Sequence, residues 1–135
     1  MKLFHISDVL SVTTGRLVST RHMDGVYDVL NFLTSDNLYT HQLPRARDEC
    51  WPCLRYQFPK LMADAPEMLE RIAELDRRVK ASTDASGRNL AICAWVEEIR
   101  EAFGLPNMLP VYELGAAMVG DEKVIVLENN GYPEA

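Results

Sequence analysis

The sequence predicts an α+β, mostly helical domain with about six short-to-medium helices and a small two- or three-stranded sheet. Three observations carry this. Apolar residues recur at i, i+3, i+4 and i+7 around 26–33, 68–79 and 92–103, the spacing of helices with one buried face. Prolines stand where helices start (Pro44, Pro66), and glycines where they stop (Gly15, Gly104, Gly120). The run Lys123-Val-Ile-Val-Leu127 is rich in β-branched residues, and Lys2–Ile6 is a second strand candidate. At 135 residues the chain is expected to be a single domain, 1–135, with 129–135 frayed.

In chain order, Ser7 is the expected N-cap of a first helix, with Asp8 at its positive end and Val9, Leu10 and Val12 inside it. Asp24 is expected to cap a second helix, whose stripe is Val26, Val29, Leu30 and Leu33 and which turns off at Ser35-Asp36-Asn37. Pro44 opens a third helix, which Pro52 should kink or divide. Asp64-Ala-Pro-Glu67 reads as a capping box for a helix over 66–80 that buries Met68, Leu69, Ile72, Leu75 and Val79. Glu67–Arg71, Glu74–Arg78 and Asp76–Lys80 stand at i, i+4 with the acid first. After a loop at 81–87, a helix over 88–103 turns Ile92, Trp95, Val96, Ile99 and Phe103 inward, with Cys93 packed beside them. Residues 105–110 are expected to be extended, 111–119 a short helix and 123–127 a strand. That strand needs a partner: the N-terminal segment, the 105–109 segment, or a second subunit, which would make a homodimer by edge pairing.

The net charge is −6. Residues 1–60 are near balance, with seven Lys/Arg against six Asp/Glu; the remainder holds seven against fourteen. This disfavours direct nucleic-acid binding, which needs a basic face. An acidic second half suits either a solvated surface or docking on a basic protein. Three cysteines do not make a secreted disulfide framework, and no window has the length and apolarity of a membrane span or signal peptide. A cytoplasmic, non-membrane protein is the expectation.

Established catalytic patterns fail on spacing. Cys50-Trp51-Pro52-Cys53 has dithiol spacing, but it falls within a helix and no strand precedes it, so two buried thiols are expected rather than a redox pair. No second Cys/His pair completes a zinc set, and no metal or cofactor is expected. The glycines at 15 and 25 do not make a phosphate loop, and a Gly-x-Ser-x-Gly elbow is lacking.

What remains is the polar segment Thr13–Arg45. Two helix starts, near 21–25 and 40–45, carry Arg and His beside free backbone N–H groups, an arrangement that suits an anion. The candidate binding residues are Arg16, Arg21, His22, His41, Gln42 and Arg45. The competing reading is that these side chains cap helices and tie loops.

This segment resembles a family of small proteins of unknown function encoded by tailed bacteriophages and prophages. The resemblance rests on Thr14-Gly-Arg-Leu17, Met23-Asp-Gly-Val-Tyr27, Leu30-Asn31, Thr34 and above all Asn37-Leu-Tyr-Thr-His-Gln-Leu-Pro-Arg45, with a weaker match at Glu113-Leu114, Val119-Gly120 and Lys123–Val126. It implies a phage origin and supplies no activity. By analogy with small phage proteins that disable host immunity, the leading expectation is a non-enzymatic accessory protein. It would bind a host protein or complex and inhibit a bacterial defence component, as an anti-CRISPR does. The alternatives are a binder of an anionic, nucleotide-like small molecule and an enzyme using His22 and His41 as acid and base.

Overall fold

A computed structural model describes residues 1–113. Its element order is β1 (Lys2–His5), α1 (Ile6–Thr14), α2 (Met23–Thr34), a single 3₁₀ turn (Thr40–Gln42), α3 (Leu43–Gln57), α4 (Pro66–Ala81), α5 (Ala85–Ala102) and β2 (Met108–Val111). The fold is mostly helical, with β1 and β2 paired antiparallel and Phe4 opposite Leu109. The expected strand at 123–127, the frayed 129–135 and the edge-paired dimer lie outside the described residues. So does most of the expected 111–119 helix, although its first residue, Val111, is the last residue of β2.

Helix α1 sits at the centre, with all nine of its residues buried. Ile6, Val9, Leu10 and Val12 join a core with Val29, Leu30 and Leu33 of α2, Cys50, Cys53 and Leu54 of α3, and Trp95 and Ile99 of α5. A buried helix must find partners for every polar group it carries. Ser7, Asp8, Ser11 and Thr14 fall at i, i+1, i+4 and i+7, a polar stripe inside the protein. The loop after α1 folds back along that stripe. The Ser11 hydroxyl accepts from the N–H groups of Val18 and Ser19 at 2.9 and 2.8 Å. The Ser19 hydroxyl donates to Asp8 Oδ1 at 2.5 Å, and Arg21 Nη2 donates to Asp8 Oδ2 at 2.7 Å. At the far end of α1, Arg47 Nε donates to the Val12 carbonyl at 2.7 Å and the Ala63 N–H donates to that of Thr13 at 3.0 Å.

Several sequence expectations change for physical reasons. The cap of α1 is His5, not Ser7: β1 runs straight into the helix, and His5 Nδ1 accepts the Ser7 N–H at 3.1 Å. Helix α2 starts at Met23, one residue before Asp24, and α3 runs through Pro52 as one element. The cap position of helix α4 is Ala65, whose methyl group can make no cap bond, and the Asp64 expected to open a capping box pairs with Arg55 instead. Helix α5 starts earlier than expected, with Asp84 accepting the Gly87 N–H at 2.7 Å. Leu69 and Cys93, expected to pack inward, are exposed. The pairs Glu67–Arg71 and Glu74–Arg78 form, but Asp76 turns away from Lys80 to a bidentate pair with Arg16, at 2.9 and 2.8 Å. No described helix is long and apolar enough to cross a membrane.

Gly25 is the most closely packed of the described glycines. A Cβ there would overlap Asp8 Oδ1 and Ser19 Oγ, two short side chains already locked in the buried network. Gly25→Ala is expected to destabilise the protein by about 3 kcal/mol in denaturant unfolding. Removing the obstructing carboxylate in Asp8→Ala/Gly25→Ala should make the double variant clearly less damaged than the sum of the singles. Strict additivity would show that the contact is not what constrains residue 25.

Candidate functional site

The first turn of α2 contains Gly25, and the Asp8 carboxylate lies against it. A helix N-terminus favours an anion there, and the protein supplies its own. Arg21 completes the arrangement by bridging Asp8 to Asp28, with Nη1–Oδ2 at 2.6 Å. The helix start at 21–25 is therefore filled from within, and Arg21 is a structural tie. Its guanidinium is raised above its usual value, with the Asp8 hydrogen bond the largest cause.

The second helix start is likewise pinned internally. Gln42 Oε1 accepts the Tyr39 N–H at 2.8 Å, while the Gln42 N–H returns to the Tyr39 carbonyl at 2.9 Å. Asn31 Oδ1 accepts the Leu38 N–H at 2.9 Å, and the hydroxyls of Tyr27 and Thr40 bond to each other. These contacts fix the turn and leave three side chains facing outward. The Tyr39 ring, 70% exposed, lies parallel to that of His41 with centroids 6.1 Å apart. The Arg45 side chain is 86% exposed and, among the described residues, pairs only with Glu49, one helical turn on. Solvated pairs of this kind contribute little to stability.

Arg16 and His22 lie elsewhere, on a cleft of about 560 Å³ between the 16–22 loop, the end of α4 and the start of α5. Its floor includes Val18, Leu75, Val79 and Ile92, and its rim carries Arg16, His22, Lys80 and Arg88. Asp76 is there too, engaged by Arg16, which holds its carboxyl below the usual range. His22 has φ +56° and ψ −135°, a backbone region that disfavours side chains, and it makes no side-chain cap bond.

The six residues singled out from sequence thus separate. Arg16 and His22 share the cleft; Arg21 belongs to the buried network; His41, Gln42 and Arg45 form the turn at 40–45, which takes no part in that cleft. Sequence reasoning missed Asp8, Ser11 and Ser19 as the organising polar set, and Lys80 and Arg88 as cleft residues. The signal for the first set was the i, i+4 stripe of polar residues in a short apolar helix.

Redox chemistry at Cys50 and Cys53 is disfavoured. Burial pushes the Cys50 thiol up to about 12, with Cys53 and Glu49 adding to it, and burial also raises Cys53 despite the hydrogen bond from Gln57. A redox dithiol requires the opposite shift. Among the described residues no group of three or more His, Cys, Asp or Glu side chains is placed to hold a metal ion.

Residues 4–64 match the model of a domain of unknown function (DUF7736), under half of the chain. The match covers α1, α2, the 3₁₀ turn and α3, together with Ser19, Arg21, Arg47 and Ala63, which satisfy α1. Neither the curated proteins nor the solved structures contain a match.

Two outcomes test this geometry. His22→Gly should stabilise the protein by about 1 kcal/mol, since it relieves a strained φ and removes no bond; a lower melting temperature would contradict the strain. With a thiol reagent at pH 8, Cys93 should react quickly while Cys50 and Cys53 stay protected until the protein unfolds. Three thiols reacting at equal rates in the native state would refute the burial argument.

Proposed function

We propose that the chain is a non-catalytic accessory protein of phage type that binds a host protein, a component of a bacterial defence system, and inhibits it by stoichiometric occupancy. The observation that carries this reading is the surface formed by Tyr39, His41 and Arg45. It is exposed, yet its backbone is fixed by hydrogen bonds that the Leu38 and Tyr39 N–H groups donate to the Asn31 and Gln42 side chains. Tyr and Arg are the side chains that most often dominate protein interfaces, and a preorganised Tyr loses little conformational entropy on binding. None of the three is needed to fill the core.

The same stretch, Asn37–Arg45, carries the strongest part of the resemblance to phage proteins, and it lies inside the matched domain. The phage origin and the anti-defence role rest on that resemblance. The acidic second half is a weaker candidate surface, since Glu67, Glu74, Glu97 and Glu98 are each held by an arginine. The enzyme reading has less support. His22 lines the cleft and His41 stacks on Tyr39, and neither imidazole has a hydrogen-bonded partner among the described residues.

Expression of the chain in a bacterium with active CRISPR immunity should raise phage plaquing, and the chain should co-purify with the targeted complex at fixed stoichiometry. Tyr39→Ala/Arg45→Ala should weaken that binding by about 30-fold or more, the scale of a lost interface anchor, with an unchanged melting temperature. Full inhibition by the variant would sink the assignment of this surface. Failure of the wild-type chain across a panel of defence systems would sink the function.

A further inference from the structure

The cleft between the 16–22 loop and the α4–α5 pair has no part in the proposed partner surface. Its charge is unlike that of the rest of the protein. Among the described residues every arginine except Arg88 has a committed partner: a carboxylate for most, and for Arg47 the Val12 carbonyl and the Trp51 ring. Among those residues the Arg88 side chain has none, and neither does that of Lys80, whose expected partner Asp76 is taken by Arg16. These two unpaired cations meet on the same cleft, in a chain of net charge −6. With Arg16, three cationic side chains face one carboxylate there.

The floor between them is apolar. Leu75 is buried, Val79 and Ile92 are half-buried, and Leu17, 45% exposed, overhangs one side. A volume of about 560 Å³ falls in the range of small-molecule sites. Unpaired cations above an apolar floor match a molecule with an anionic head and a flat apolar body.

We propose that this cleft binds a small organic anion, a phosphate or carboxylate head on an aromatic body, with the head held by Lys80 and Arg88 and the ring over Val79 and Ile92. The Arg16–Asp76 pair closes the wall and fixes the 16–22 loop against α4. The bonds of that loop to Ser11 and Asp8 hold it in a path that strains the backbone at His22.

The test is a titration of the ¹⁵N-labelled full chain with two probes, adenosine monophosphate and 2-naphthoate, with inorganic phosphate and adenosine as single-feature controls. At least one probe should shift the amides of Leu17, Ala85, Arg88 and Ile92 saturably. Each control should bind about tenfold more weakly or worse, since it lacks one half of the recognition. Lys80→Glu/Arg88→Glu should weaken the probe by about tenfold or more with an unchanged melting temperature, because both side chains are exposed and unpartnered. Tyr39→Ala/Arg45→Ala should bind the probe like the wild type, so the two surfaces fail or succeed separately. The proposal is overturned if neither probe moves these amides, or if the charge-reversed variant binds as tightly as the wild type.

Discussion

A helix with every residue buried is the constraint from which the rest follows. Helix α1 removes nine residues from water, including Ser7, Asp8, Ser11 and Thr14. A buried carboxylate without partners would be costly enough to unfold a domain of ordinary stability. The chain answers with the 16–22 loop, whose amides bond to Ser11 and whose Ser19 and Arg21 side chains bond to Asp8. The first turn of α2 then approaches so closely that only glycine fits at position 25. Arg47 and Ala63 complete the other end. Almost all of these groups lie within residues 4–64, the span of the matched domain. The exception is Asn107, whose carbonyl takes the Ile6 N–H at 2.8 Å.

The cations of this acidic protein are mostly structural ties between segments. Arg16 joins the loop to α4, Arg55 joins α3 to the connector at Asp64, and Arg78 joins α4 to Glu98 of α5. Each exposed pair contributes little on its own. Their distribution matters more than their energies, because it shows which polar groups have no structural duty. Lys80 and Arg88 on the cleft, and the Tyr39–His41 pair on the 39–45 turn, are such groups.

Helix type and approximate position were legible because the apolar period survives in sequence: α2, α4 and α5 each bury the centre of the predicted stripe, with Val26, Val79, Ile92 and Phe103 partly buried against the core and Leu69 exposed. Helix α1 was legible as a helix but not as the centre, since a short segment with Ser7, Asp8 and Ser11 reads locally as a capped surface helix. The candidate site was half legible. Thr13–Arg45 does contain the cleft-lining Arg16 and His22 and the exposed turn, but its two helix starts were read as alike. One is filled by Asp8, which is close only in space, and the other is closed by Gln42, which is close in sequence.

By itself the sequence determined the helical periodicity, the breaks at Gly15 and Ser35, the proline-led starts of α3 and α4, and the local ion pairs along α4. These depend on residues within one or two turns of each other. Tertiary structure decided which helix is central, that β1 pairs with β2, and that Asp76 bonds to Arg16 rather than Lys80. It also decided that Arg21 is a tie and that Lys80 and Arg88 share a cleft. Each of these is a choice between a local partner and one brought near only by folding, and burial sets the outcome: a carboxylate such as Asp8, out of reach of water, takes whatever donors the packed chain delivers to it.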